Sequence, residues 1–182
     1  MERRSLYVSC FPFYVPCVAK YEDLRGDDTA LLALTGRAWR FGDHLTSQQI
    51  LAAEHLSKQP TISSAFAMKA VEPQFTCQVT AGDFIVAGTD FAADVAHRNV
   101  ALALRFLGIA AVIARSFGHF FSSSAIRVGL PALVVEETGA IRNGDRLRVD
   151  IEAHIVANLS SGDRYVIRNI DDAALAHLRK AP

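Results

Sequence analysis

The stretch "TDFAADVAHRN", from Thr89 to Asn99, gathers Asp90, Asp94, His97 and Arg98 within nine positions. It lies between an apolar run of strand length, beginning at Phe84, and a run whose apolar positions repeat at helical spacing. A loop at the carboxyl end of a strand and the amino end of a helix is where α/β proteins place binding and catalytic groups. The helix end adds unsatisfied N–H groups and a partial positive charge, which suits a carboxylate. Asp94 and His97 are the candidate proton-transfer groups, and Arg98 can grip a carboxylate with two parallel hydrogen bonds. Each also has a plain structural role open to it: Asp94 as a helix cap, His97 and Arg98 as solvated charges.

The elements that must position this loop follow from the pattern around it. Phe84–Gly88, Ala110–Ala114 and Pro131–Val135 read as buried strands. Ala96, Val100, Ala103, Leu104 and Leu107 form one helical stripe between the first two, closed by Gly108. Apolar strands joined by a helix imply a parallel βαβ core. Upstream, Gly36–Phe41 reads as a short strand, Gly42-Asp43 as a turn, and Ser47 as the cap of a helix from Gln48 to Leu56. From Ser57 to Thr76 the reading is a long loop with one helical turn near Phe66–Ala70. Ser116 can cap the helix that carries Phe117, Phe120, Phe121 and Ala125. Alternation from Leu147 to Asn158 predicts one half-buried antiparallel strand, with Leu147, Val149, Ile151, Ala153, Ile155 and Ala157 inward. Ser161-Gly162-Asp163 turns it into Arg164–Arg168, and Asp171 or Asp172 caps a short last helix.

Composition narrows the function classes. The 182 residues fit one domain, and 19 basic residues balance 19 acidic ones, so no nucleic-acid or membrane partner is indicated. Cys10, Cys17 and Cys77 are too few and too oddly spaced for a disulfide framework or a metal site, which suits a reducing, cytoplasmic setting. Residues 1–34, with a basic start and an apolar middle interrupted by prolines, read as a loosely packed extension ahead of a domain over 35–182. The chain has no Walker loop, GxGxxG, GxSxG or paired-histidine motif.

The segments "GRAWRFGDHLTSQQIL", "GDFIVAGTDF", "LGIAAVIARSFGHFFSSSAIRVGLP" and "GDRLRVDIEAHIVANLSSGDRY", in this order, resemble the small subunit of 3-isopropylmalate dehydratase. That subunit is similar to the swivelling domain of aconitase. The resemblance covers about residues 35–170. It implies a three-layer α/β swivelling domain with a parallel βαβ core and an antiparallel hairpin. It also implies a hydro-lyase of leucine biosynthesis whose separate large subunit holds a [4Fe–4S] cluster, with no metal on this chain and a carboxylic acid as substrate. The family's catalytic loop, Asn-Phe-Gly-Cys-Gly-Ser-Ser-Arg-Glu-His, falls on Asp90–Asn99. Its base serine falls on Val95, its second serine on Ala96, its arginine on His97, and its glycines on Ala92 and Asp94. The family's Asp-Thr-Asp falls on Thr46, Ser47 and Gln48. On this reading Asp94 or His97 replaces the base, Arg98 replaces the arginine, and Thr46 and Ser47 keep hydroxyls toward the substrate. Loss of the glycines is expected to alter the loop path. The alternative is a non-catalytic swivelling module that binds a large subunit or a carboxylate.

Overall fold

The computed structural model describes residues 33–56, 58–94, 98–170 and 172–180. Seven strands form one mixed sheet in the order β4-β3-β2-β1-β5-β6-β7. The parallel part comprises β1 (Ala33–Arg40), β2 (Phe84–Val86), β3 (Ala111–Ala114) and β4 (Ala132–Val134). The antiparallel part comprises β5 (Arg146–Asp150), β6 (Ile155–Asn158) and β7 (Arg164–Val166). The three expected parallel strands are present, and β1 adds a fourth. It starts at Ala33, which pairs with Asp150 across the antiparallel side.

Alternation along the parallel strands splits the core in two. Trp39, Ile85 and Val112 face the larger cluster with Val100, Leu104 and Phe121. Ala38, Phe84, Val86 and Ile113 face the other cluster with Leu147, Val149, Val156, Tyr165 and Leu178. Helix α5 (Arg98–Phe106) and helix α6 (His119–Arg127) cover the first face, and α7 (Asp172–Lys180) covers the second. This is the expected three-layer arrangement. In the α5 stripe Val100, Ala103 and Leu104 are buried and Leu107 is partly buried.

Several local expectations are corrected. The predicted strand Leu147–Asn158 is a hairpin, β5 and β6, turned at Ile151–His154 with His154 at φ 56°. Ala153 N–H bonds to Asp150 Oδ1 at 2.9 Å within the turn. The turn reverses the alternation: Val156 and Asn158 are buried, whereas Ala153 is exposed and Ile155 half-buried.

The single helix expected over Gln48–Leu56 is two short ones, α1 (Ser47–Ile50) and α2 (Ala53–Leu56). Thr46, not Ser47, caps α1, in a reciprocal box with Gln49. Leu51 is extended, and the Ile50 carbonyl accepts from Met68 N–H at 2.7 Å, so the helix cannot continue. The long loop after Leu56 carries α3 (Pro60–Ser64) and α4 (Phe75–Gln78). Ser116 does not cap α6, whose cap position is Gly118. Residues 1–32, most of the predicted extension, lie outside the described residues.

Candidate functional site

The segments that leave β1, β2 and β3 run side by side at the carboxyl edge of the parallel sheet. Backbone bonds join them. Gly88 N–H donates to Gly42 O at 3.2 Å, His44 N–H to Thr89 O at 2.8 Å, and Ala92 N–H to Leu45 O at 2.7 Å. On the other flank Phe91 N–H donates to Ser116 O at 3.0 Å, and Gly118 N–H to Phe91 O at 2.9 Å. The loop from Gly88 to Asp94 is therefore held between two neighbours rather than free in solvent.

Side chains reinforce these ties. Asp43 Oδ1 accepts from Thr89 N–H at 2.8 Å and from its hydroxyl at 3.2 Å. Those bonds, the backbone one first, hold the Asp43 carboxyl below its ordinary value of 3.8. A Cβ on Gly88 would stand 1.8 Å from that same oxygen, so a side chain there would displace Asp43. Asp90 N–H donates to Ser116 Oγ at 2.8 Å, and the hydroxyl returns a bond to Asp90 Oδ1 at 3.1 Å. The other oxygen, Oδ2, lies 3.2 Å from His44 Nδ1.

The structure joins three of the five candidate site residues. Asp94 Oδ1 accepts from Ser47 N–H at 2.5 Å, which links the loop to the turn containing Thr46 and Ser47. The Thr46 hydroxyl is engaged in capping α1. Ser47 is 1% exposed, and its Oγ has no hydrogen-bond partner among the described residues. Arg98 is exposed at the first described residue of α5. Beside it, the Asn99 side-chain amide donates to Leu56 O and ties that helix to α2. His97 lies outside the described residues, as do Val95 and Ala96.

Sequence reading missed the parts played by Asp43, Thr89 and Ser116 in fixing the loop. A Gly-Asp pair directly after a strand is the signal available in the sequence. Among the described residues no three His, Cys, Asp or Glu side chains gather as metal ligands.

The model of the aconitase C-terminal domain matches residues 20–138. The chain belongs to that family. Within the family it is 36% identical over 136 residues to the 3-isopropylmalate dehydratase small subunit of Wolinella succinogenes, covering 74% of this chain and 81% of that protein. It is 32% identical over 149 residues to the homoaconitase small subunit of Methanothermobacter thermautotrophicus, covering 80% and 85%. The crystal structure of 3-isopropylmalate dehydratase from Methanocaldococcus jannaschii superposes with a TM-score of 0.78 at 27% identity, over 82% of this chain and 89% of that one. The aconitase-family fold is thus carried over most of the chain. Among the described residues no helix is long and apolar enough to cross a membrane.

Proposed function

We propose that the chain is the small subunit of a 3-isopropylmalate dehydratase-like hydro-lyase, acting on a hydroxy di- or tricarboxylic acid. The observation that carries this reading is the Asp94–Ser47 bond. It joins the loop and the turn that the family resemblance assigns to the substrate, at the carboxyl edge of a parallel sheet. The names of the relatives support it, since they are small subunits. A separate large subunit would carry the [4Fe–4S] cluster and supply the Lewis acid that takes the substrate hydroxyl. Nothing in the described part of this chain gathers ligands for such a group.

The task left to this chain is to hold a carboxylate and move one proton between carbon and a side chain. Val95, at the position of the family's base serine, has no group that accepts a proton. Asp94 is exposed and bonds to the turn through Oδ1, and its carboxylate is one base for that proton. His97 is the other base, and Arg98 the cation for a substrate carboxylate.

The test is to co-produce the chain with a large subunit carrying cluster-ligand cysteines and to assay hydration over a panel of unsaturated dicarboxylates. If His97 is the base, His97→Ala lowers turnover far more than affinity, and activity falls as pH drops below its pKa. If Asp94 is the base, Asp94→Asn does so instead. Arg98→Ala weakens substrate binding. If none of the three substitutions changes rate or binding in an assembled complex, the chain is a non-catalytic swivelling module.

A further inference from the structure

At the same edge of the sheet, Arg40, Asp43, Gly88, Arg115 and Gly139 line a cavity of about 80 Å³. Its walls come from the segments that follow β1, β2, β3 and β4. Two features set it apart from an ordinary surface dimple. First, both arginines line it, and neither is ion-paired among the described residues. Glu136, whose carbonyl orients Arg115, turns its carboxylate to Arg168, with Oε1 3.0 Å from Nε and Oε2 3.3 Å from Nη2, and Asp43 acts on Arg115 by charge without an ion-pair contact. Second, Arg115 is oriented. Its Nε donates to the Glu136 carbonyl at 2.9 Å, which leaves the terminal nitrogens of the fork for another acceptor. Gly139 keeps the space beside that fork clear, because a Cβ there would stand 3.3 Å from Arg115 Nη2.

The charges of the lining select the ligand class. Asp43 is held ionised by the Thr89 bonds, so two cationic side chains and one anionic one give a net single positive charge. A singly charged oxyanion with two acceptors in one plane matches both that charge and the arginine fork. Phosphate is tetrahedral and concentrates its charge on one centre beside Asp43, whereas each carboxylate group of a diacid is planar and carries a single charge.

We infer that the Arg40–Arg115 cleft binds one carboxylate group of a small organic acid. The site is separate from the Asp94–Ser47 contact and needs no large subunit, so it does not depend on the hydro-lyase reading.

The experiment titrates the full isolated chain with malonate, and separately with inorganic phosphate at matched ionic strength, while following backbone amides by NMR. Malonate is expected to shift the amides of Gly42, Gly88 and Gly139 with one dissociation constant. Because hydrogen bonds to charged groups are among the stronger ones, Arg115→Gln should weaken binding by about tenfold or more. Arg40→Gln combined with it should abolish saturation. Both side chains are exposed, so the variants should fold, and circular dichroism checks this. Gly139→Ala gives a second route, narrowing the cleft without removing charge and weakening malonate. Unchanged malonate affinity in the double arginine variant, or in Gly139→Ala should the arginine variants misfold, overturns the site. Phosphate binding as tight as malonate overturns the carboxylate assignment.

Discussion

Gly118→Ala should unfold the loop clamp, whereas the same change at Gly42 should be harmless. The two glycines stand in the segments that flank the Gly88–Asp94 loop, and neither has a positive φ. They differ in what an added methyl meets. At Gly118 a Cβ would lie 2.2 Å from Ala92 O and 2.7 Å from Ala93 Cα, both backbone atoms. At Gly42 it meets nothing within 4 Å. Forcing a methyl into a packed site costs about 1–3 kcal/mol. Pushing the loop away also strains the Gly118–Phe91 and Ala92–Leu45 backbone bonds, worth about 0.5–1.5 kcal/mol each. Gly118→Ala should therefore destabilise by about 2–4 kcal/mol. Gly42→Ala should be neutral or stabilising by up to about 1 kcal/mol, because alanine restricts the unfolded chain. Urea denaturation followed by the single tryptophan reads both. Trp39 is 5% exposed and bonded through Nε1 to Asp83, so its environment changes on unfolding. If the two variants fall within about 1 kcal/mol of each other, close backbone approach is not what the clamp rests on.

Two titrations test the electrostatics of neighbouring elements, alongside the His97, Asp94 and Arg98 substitutions in the assembled complex. Burial, and then the charge of Lys58, push the His55 imidazole below its ordinary value of 6.5; Glu54 opposes the shift and Lys69 adds to it. The folded chain thus takes up its proton less readily than the unfolded one. The stability this contributes is complete above pH 6.5 and is lost as pH falls through 6.5 toward the folded value. His55→Gln should flatten that part of a stability–pH curve, and an unchanged slope would assign the effect elsewhere. Asp43 has the carboxylate counterpart of this behaviour. Its folded pKa lies below 3.8, so its contribution is present above that value and lost as pH falls through the folded pKa. Thr89→Ala removes the hydroxyl bond and should move the Asp43 titration, followed by NMR, part of the way back up.

What the sequence made legible was set by burial. Phe84–Val86 and Ala111–Ala114 are apolar at every position because both faces of the parallel sheet are covered, so their runs stand out against the loops. The β5–β6 turn was hidden by a different cause. Its residues continue the apolar–polar alternation through Ile151 and Ala153, and no glycine or proline marks the reversal; His154 takes the positive φ instead. The break between α1 and α2 was hidden because it depends on a distant partner, the Met68 amide on the Ile50 carbonyl. Local propensity carries no trace of such a bond.

The candidate loop keeps a glycine-like backbone where it carries an alanine. Ala92, at a position where the family resemblance places a glycine, has φ 54° and is fully buried. A left-handed alanine costs about 1–2 kcal/mol. The surrounding bonds hold it there: Ala92 N–H on Leu45 O, and the Phe91 amide and carbonyl on Ser116 and Gly118. The second lost glycine is replaced by Asp94, whose carboxylate reaches Ser47 N–H, a bond glycine cannot make. That bond adds a tie between loop and turn. Ala92 thus takes the left-handed backbone that suits glycine without being one. The path at Ala92 is over-determined by backbone bonds to both neighbours. Asp94 ties the loop to the turn through Oδ1, and the residue is otherwise exposed.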